Sequence, residues 1–212
     1  LKKFKYTKKF YSNMTPTISL CLIVKNEEDY IEQCLNSVLE LVNEIIIIDT
    51  GSTDKTKELA LDFKKNKFPN LKILDFPWVQ DFSSARNFST SYATSEWILI
   101  LDADEIIAKE DHNKIKELIL KYNKPNTAMG LMLIQRNYAN NSKLVGWTQN
   151  DEKYVSLEKF SGFYPTPITR LFKNKQEIVF RSKVHESVDD SIFEKKGKIK
   201  LTEIPIHHFQ YE

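Results

Sequence analysis

The chain has 212 residues, 41% hydrophobic and 28% charged, an ordinary soluble globular balance for one large domain or two small ones. Lysine and arginine number 31 against 29 aspartates and glutamates, so the formal charge of +2 excludes the broad basic field that a nucleic-acid partner would call for. No apolar run nears the ~20 residues of a membrane span, residues 1–12 lack the apolar core of a signal peptide, and the five glycines are spaced so as to exclude the GxGxxG fingerprint and the P-loop.

Residues 1–16 are basic and aromatic and read as an arm. Such a charge run is solvated in the first reading and meets an acidic partner or a membrane surface, as a peripheral contact, in the second. From Ile18 the pattern changes. Residues 18–24 form a short apolar run, β-branched at both ends, and predict a buried strand. Over residues 28–39 Ile31, Cys34, Leu35 and Val38 share one helical face. A second buried strand runs over 44–48 and ends on Asp49, followed by the turn and cap chemistry of Thr50-Gly51-Ser52-Thr53-Asp54 and a helix through Leu59, Ala60 and Phe63. A third strand is predicted at 71–74, a helix at 84–93 and a fourth strand at 97–101, ending on Asp102-Ala103-Asp104. Cys21 and Cys34 make no CxxC pair, which points to a reducing, cytoplasmic setting.

Strand and helix alternate through this half, which predicts parallel βαβ units with ligands at the carboxyl ends of the strands. Beyond Asp104 the pattern loosens to α+β. A helix is expected at 112–122, a strand at 128–136, long loops over 137–166, and short strands at 168–172, 178–180 and 198–206, built onto the end of the first sheet.

The polar residues of the first half fall at strand tips. Alternation along an extended segment would put the carboxylates of Asp102 and Asp104 on one side, where they repel unless a cation joins them; hard oxygen ligands favour Mg²⁺ or Mn²⁺. The alternative is acids that merely end a strand and start a turn. Asp49 sits where a base or ribose would lie, or else opens an Asx turn into Gly51. Arg86 could reach a phosphate, or be an exposed helix arginine, and Asn87 could bond an anion or the Asp102 carboxylate. His112 falls on a polar helix face and is expected at the surface. His185, His207 and His208 remain open between structural, acid–base and metal roles.

The run Ser19-Leu-Cys-Leu-Ile-Val24-Lys-Asn26-Glu27-Glu28, then Asp49-Thr-Gly51-Ser52-Thr53-Asp54, then Ala85-Arg86-Asn87, then Asp102-Ala103-Asp104 resembles the family 2 inverting glycosyltransferases of GT-A fold. Within them it is most similar to the branch of lipopolysaccharide-core glucosyltransferases, tetratricopeptide-linked glycosyltransferases and bacteriocin peptide S-glycosyltransferases. Trp147, Tyr164-Pro165, Arg170-Leu-Phe172 and Val184-His185-Glu186 extend the likeness into the second half. The resemblance implies a GT-A domain over 17–212, with a nucleotide-binding half (17–106) and an acceptor-side half (107–212). It also implies transfer of a hexose from a UDP-sugar to a peptide, lipid or glycan. Asn26 or Glu27 would lie beside the uridine, with Val24 and Ala103 in the same pocket. Asp49 would contact the base, Arg86 the diphosphate or donor sugar, and Asp102 the ribose or a metal-bound water. Asp104 would bind Mn²⁺ or Mg²⁺, with His208 completing the shell. Glu186 is the expected base, with His185 and the pair Asp189/Asp190 as rivals.

The apolar strand before Asp102-Ala103-Asp104 also resembles the haloacid-dehalogenase phosphatase box, in which Asp102 would be the nucleophile. A chain that opens at Leu1 and stops just after the last motif is expected to be a fragment or one domain of a longer protein.

Overall fold

The computed structural model describes residues 15–125 and 127–209, so the predicted basic arm lies, apart from residues 15 and 16, outside the described residues. In chain order the elements are β1 (Ile18–Val24), α1 (Ile31–Ser37), β2 (Glu44–Asp49), α2 (Thr56–Asn66), β3 (Leu71–Asp75), α3 (Phe82–Ser91), β4 (Trp97–Ile100) and β5 (Glu105–Ile106). There follow α4 (His112–Tyr122), β6 (Gly130–Ala139), β7 (Thr148–Gln149), β8 (Gly162–Lys173), α5 (Asp189–Glu194) and β9 (Ile199–His208).

The first half is as the periodicity predicts. β3, β2, β1 and β4 lie side by side and parallel. Their side chains alternate between two apolar layers because successive strand residues face opposite ways. Leu20, Leu22, Ile45, Ile47 and Leu99 pack with α1, α2 and α4, whereas Cys21, Ile46, Ile48, Ile98 and Ile100 face the side of α3 and α5. Glu44 is an acid inside this frame, buried at the start of β2. Burial alone would raise its pKa, but hydrogen bonds from Ser19, Thr94 and Ser95 hold it below the usual value.

The second half is built onto the β4 end of the sheet as expected and continues it, in the order β4-β8-β6-β9-β5, with β8 antiparallel to both neighbours and β9 parallel to β6; its individual elements depart from expectation. The loops expected over 137–166 are shortened by β6, which runs to Ala139, and by β8, which starts at Gly162. Pro165 and Pro167 argue against a strand there, because proline cannot donate to a ladder. They are tolerated because β8 pairs with β6 along this stretch, while β4 pairs only with 171–173 and β7 only with 162–163. No strand forms at 178–180. Ile178 and Phe180 are buried there, and the Asn87 side chain serves Phe180 as a strand would, donating to its carbonyl (3.0 Å) and accepting from its N–H (2.8 Å). Asn87 is therefore a structural brace and not an anion or Asp102 ligand. His112 is also corrected: it is buried, its Nε2 lies 2.8 Å from the Ser37 carbonyl, and burial lowers its pKa.

Candidate active site

A cleft of about 600 Å³ opens at the carboxyl ends of β1 and β4. Of the residues predicted for a site, Val24, Glu27, Arg86, Asp102, Ala103, Asp104, His185, Glu186 and His208 line it. Asn26 and Asp49 are outside the lining. Asn26, at φ 57°, laces two loops together: its N–H donates to Ser52 Oγ (3.0 Å) and its Oδ1 accepts from Thr53 N (2.8 Å). Asp49 makes the Asx turn, its Oδ1 accepting from Gly51 N and Ser52 N at 3.0 Å each, while its buried Oδ2 has no protein partner among the described residues. Asp189 and Asp190 begin α5 and do not line the cleft. His207 points away from it, buried, with Nδ1 2.8 Å from the Tyr138 hydroxyl and a stacked Tyr138 ring.

The two carboxylates of Asp102-Ala103-Asp104 do not share one side of an extended segment. β4 stops at Ile100, and Ala103 and Asp104 lie in a turn closed by Glu105 N donating to the Asp102 carbonyl (3.0 Å). The turn sends the acids to different partners. Asp102 accepts from Arg86 Nη2 and, at 2.7 Å, from Arg170 Nη2. Burial alone would raise its pKa; Arg170 and then Arg86 outweigh that and hold it well below the carboxylate range. Asp104 Oδ2 instead lies 3.0 Å from His208 Nε2.

Arg86 is not an exposed helix arginine. α3 is capped by Asp81, whose side chain accepts from Ser84 N (3.1 Å), and Arg86 falls on its buried face with Ser83, Ala85 and Ser89. It is 3% exposed, and its Nε donates to Glu186 Oε1 at 3.1 Å. The proposed base thus sits in an ion pair. Arg170 joins the site without a role assigned to it from the sequence. It is buried on β8, bonds Asp102 and Glu105, and lines the cleft. Its signal was an arginine inside an apolar strand, which needs buried acids as partners. Trp78 and Phe82 also form part of the rim, edge to face with ring centroids 4.8 Å apart.

Among the described residues no group of three His, Cys, Asp or Glu side chains could cage a metal ion. The protein's offer is the Asp104–His208 pair, with N and O 3.0 Å apart. Neighbouring ligands of an octahedral ion with bonds of about 2.1 Å are roughly 3 Å apart. Glu27 adds a surplus of negative charge. Its Oε2 is buried without a partner among the described residues, and burial, then Asp104, Asp102 and Asp54, push its pKa up to about 7. These residues fit a divalent cation that takes its other ligands from water and phosphate oxygens.

A mixed α/β sheet, parallel through its first four strands and flanked by helices, with arginines and acids gathered at its strand ends, is the architecture of the GT-A glycosyltransferases. Residues 19–182 match the family model described as Glycosyl transferase family 2, and the chain belongs to that family. It is 31% identical over 201 residues to a TPR repeat-containing protein of Synechococcus elongatus, covering 92% of this chain and 42% of that protein. It is 34% identical over 174 residues to the SPbeta prophage-derived glycosyltransferase SunS of Bacillus subtilis, covering 81% and 35%. The chain thus spans less than half the length of these two relatives. In structure it is similar to S. aureus TarS 1–349 in complex with UDP, with a TM-score of 0.63 at 18% identity, covering 92% of this chain and 60% of that one. The same TarS fragment is also known in complex with UDP-GlcNAc. Family membership sets aside the phosphatase alternative. Among the described residues, no helix is long and apolar enough to cross a membrane.

Proposed function

We propose that this domain transfers a hexose from a UDP-sugar to an acceptor nucleophile on a peptide, lipid or glycan, in one displacement that inverts the anomeric centre. The observation that carries the reading is the meeting, in one cleft, of two buried arginines with the Asp104–His208 pair. Among the described residues, Arg86 Nη1 and Arg170 Nε are buried without a protein partner, which leaves donors for an anionic diphosphate. Asp104 and His208 hold Mn²⁺ or Mg²⁺, and the imidazole tilts the preference away from all-oxygen Mg²⁺. When bound, the ion supplies positive charge to the departing diphosphate. Glu27 and Val24 border the nucleotide, with Asp49 behind them. The exposed Trp78 and Phe82 offer an aromatic rim to a sugar.

Glu186 is the proposed base, removing the acceptor's proton as its oxygen or sulfur attacks. Its Oε1 accepts from Arg86 Nε at 3.1 Å, a bond that Arg86 gives up on turning toward the diphosphate. His185, on the same loop and lining the same cleft, is the rival. Two free thiols, Cys21 and Cys34, support a cytoplasmic setting.

A panel of nucleotide sugars, each with and without Mn²⁺, tests the reading by thermal unfolding. A donor at a hundredfold over its Kd should add about 2.7 kcal/mol. Failure of every UDP-sugar to stabilise the protein with Mn²⁺ present would overturn the donor assignment. Glu186→Gln should keep donor binding and lose transfer by ~10²-fold or more; near-normal transfer would pass the role to His185.

A further inference from the structure

We infer that Asn137 is a positioning residue that fixes which ring nitrogen of His208 carries the proton, so that Nε2 presents a bare lone pair toward Asp104 and a divalent cation. The cation half of this inference rests on the metal reading above.

The backbone supplies the juxtaposition. β6 and β9 run parallel with Asn137 directly opposite His208, so the two side chains stand on the same face of the sheet. Asn137 is 3% exposed, and its amide has only one workable orientation. Nδ2 donates to the Tyr164 carbonyl (3.1 Å), to Thr166 Oγ1 (3.2 Å) and to the Gln135 carbonyl (3.4 Å). Carbonyl oxygens only accept, so the NH₂ group must be on that side. Oδ1 is then left facing His208 Nδ1 at 2.7 Å.

An amide oxygen also only accepts, so the proton must be on Nδ1. A neutral imidazole carries one ring proton, and Nε2 is then unprotonated. That atom faces Asp104 Oδ2 at 3.0 Å. Two lone pairs at this distance repel unless a proton or a cation lies between them. Without Asn137, the other tautomer would aim Nε2–H at Asp104, satisfying the carboxylate and closing the gap to a metal ion. Gln135, two residues earlier on β6, cannot substitute, because its amide is bonded to Glu105. A ligand histidine whose second nitrogen is held in this way gains both orientation and basicity.

Asn137 also braces β8, so the test needs a signal that bracing does not move. Asn137→Asp keeps an acceptor at Nδ1 and gives up the Nδ2 bonds; Asn137→Leu loses both. The full chain, labelled with ¹⁵N-histidine and free of metal, is observed by ring ¹⁵N–¹H correlation at alkaline pH, where the ring is neutral, with His208→Gln giving the assignment. Mn²⁺ affinity is measured separately by electron paramagnetic resonance in the presence of UDP. The expected result is Nδ1–H at His208 in wild type and Asn137→Asp, and Nε2–H in Asn137→Leu, with Mn²⁺ affinity lower by ~10–100-fold in the leucine variant only. Nε2–H in wild type would overturn the inference, as would unchanged tautomer and affinity in Asn137→Leu. If Asn137→Leu does not fold, the wild-type spectrum together with that of Asn137→Asp decides. Absence of Mn²⁺ binding in wild type would remove the metal reading and the cation half, while the ring signals still decide the tautomer.

Discussion

Asp102 and Asp104 stand two residues apart and are expected to fail differently. Among the described residues the Asp104 carboxylate has one hydrogen-bond partner, the His208 ring, and is free to give it up. Asp104→Asn should keep the unfolding temperature and lose Mn²⁺-dependent UDP binding at least tenfold, read by calorimetry with and without the ion. Asp102 is instead the shared counterion of Arg86 and Arg170. Asp102→Asn should cost about 1–3 kcal/mol of stability in denaturant unfolding, a figure set below that of a fully buried pair because Asp102 keeps some exposure. Equal stability of both variants would remove the distinction. The thiols make a second residue-scale case. Burial, followed by the charge of Glu44, pushes Cys21 up to about 12, and burial likewise raises Cys34. Both should resist a colourimetric thiol reagent in the folded protein and react on unfolding. Prompt reaction of either in the native state would contradict the packing around β1 and α1.

Strand β9 shows how an element divides labour between neighbours. His207 and His208 are adjacent, so the pleat sends one to the core and the other to the cleft. His207 is buried against Tyr138 and Tyr154, and burial, then Arg136, lowers its pKa to about 4 from 6.5. Folding therefore favours the neutral ring. That contribution is fully present above pH 6.5 and is lost as pH falls toward 4, at most roughly 3 kcal/mol for this one group. His208 has the opposite sign, its raised pKa favouring the folded state in acid. The clean measurement is the difference between wild type and His207→Phe in urea stability across this range. The variant should lose part of the acid-side slope, and identical slopes would refute the assignment. The elements also show what the sequence could disclose. Strands β1 to β4 are legible because each is a short apolar run followed by turn chemistry. β8 is hidden by Pro165 and Pro167, whose tolerance depends on which neighbour pairs where. Asp104 and Arg86 could be found from local motifs. Arg170 shows in the sequence only as an arginine inside an apolar run and Asn137 shows not at all, because their roles exist only once β8 and β6 lie in one sheet with β4 and β9.

At the scale of the whole molecule, one sheet runs through both halves of the chain. β4, with every residue buried, takes β1 on one side and β8 on the other. A fragment ending at residue 106 would expose the β4 edge and leave Arg86 and Asp102 without Arg170. It is expected to aggregate, or to remain monomeric only without cooperative unfolding; a soluble fragment with a sharp thermal transition would show two independent units.

The reversal of β8 has a consequence that reaches the chemistry. Two successive changes of direction, β4 to β8 and β8 to β6, cancel, and β9 keeps the direction of β6. Strands distant in sequence therefore finish at one common rim: β4 leads into Asp102 and Asp104, β6 carries Asn137, and β9 ends on His208. An even count of reversals is the topological condition for these groups to meet. With one reversal fewer, the same strands would carry the ring nitrogen to the far end of the sheet, a strand's length from the carboxylate it faces.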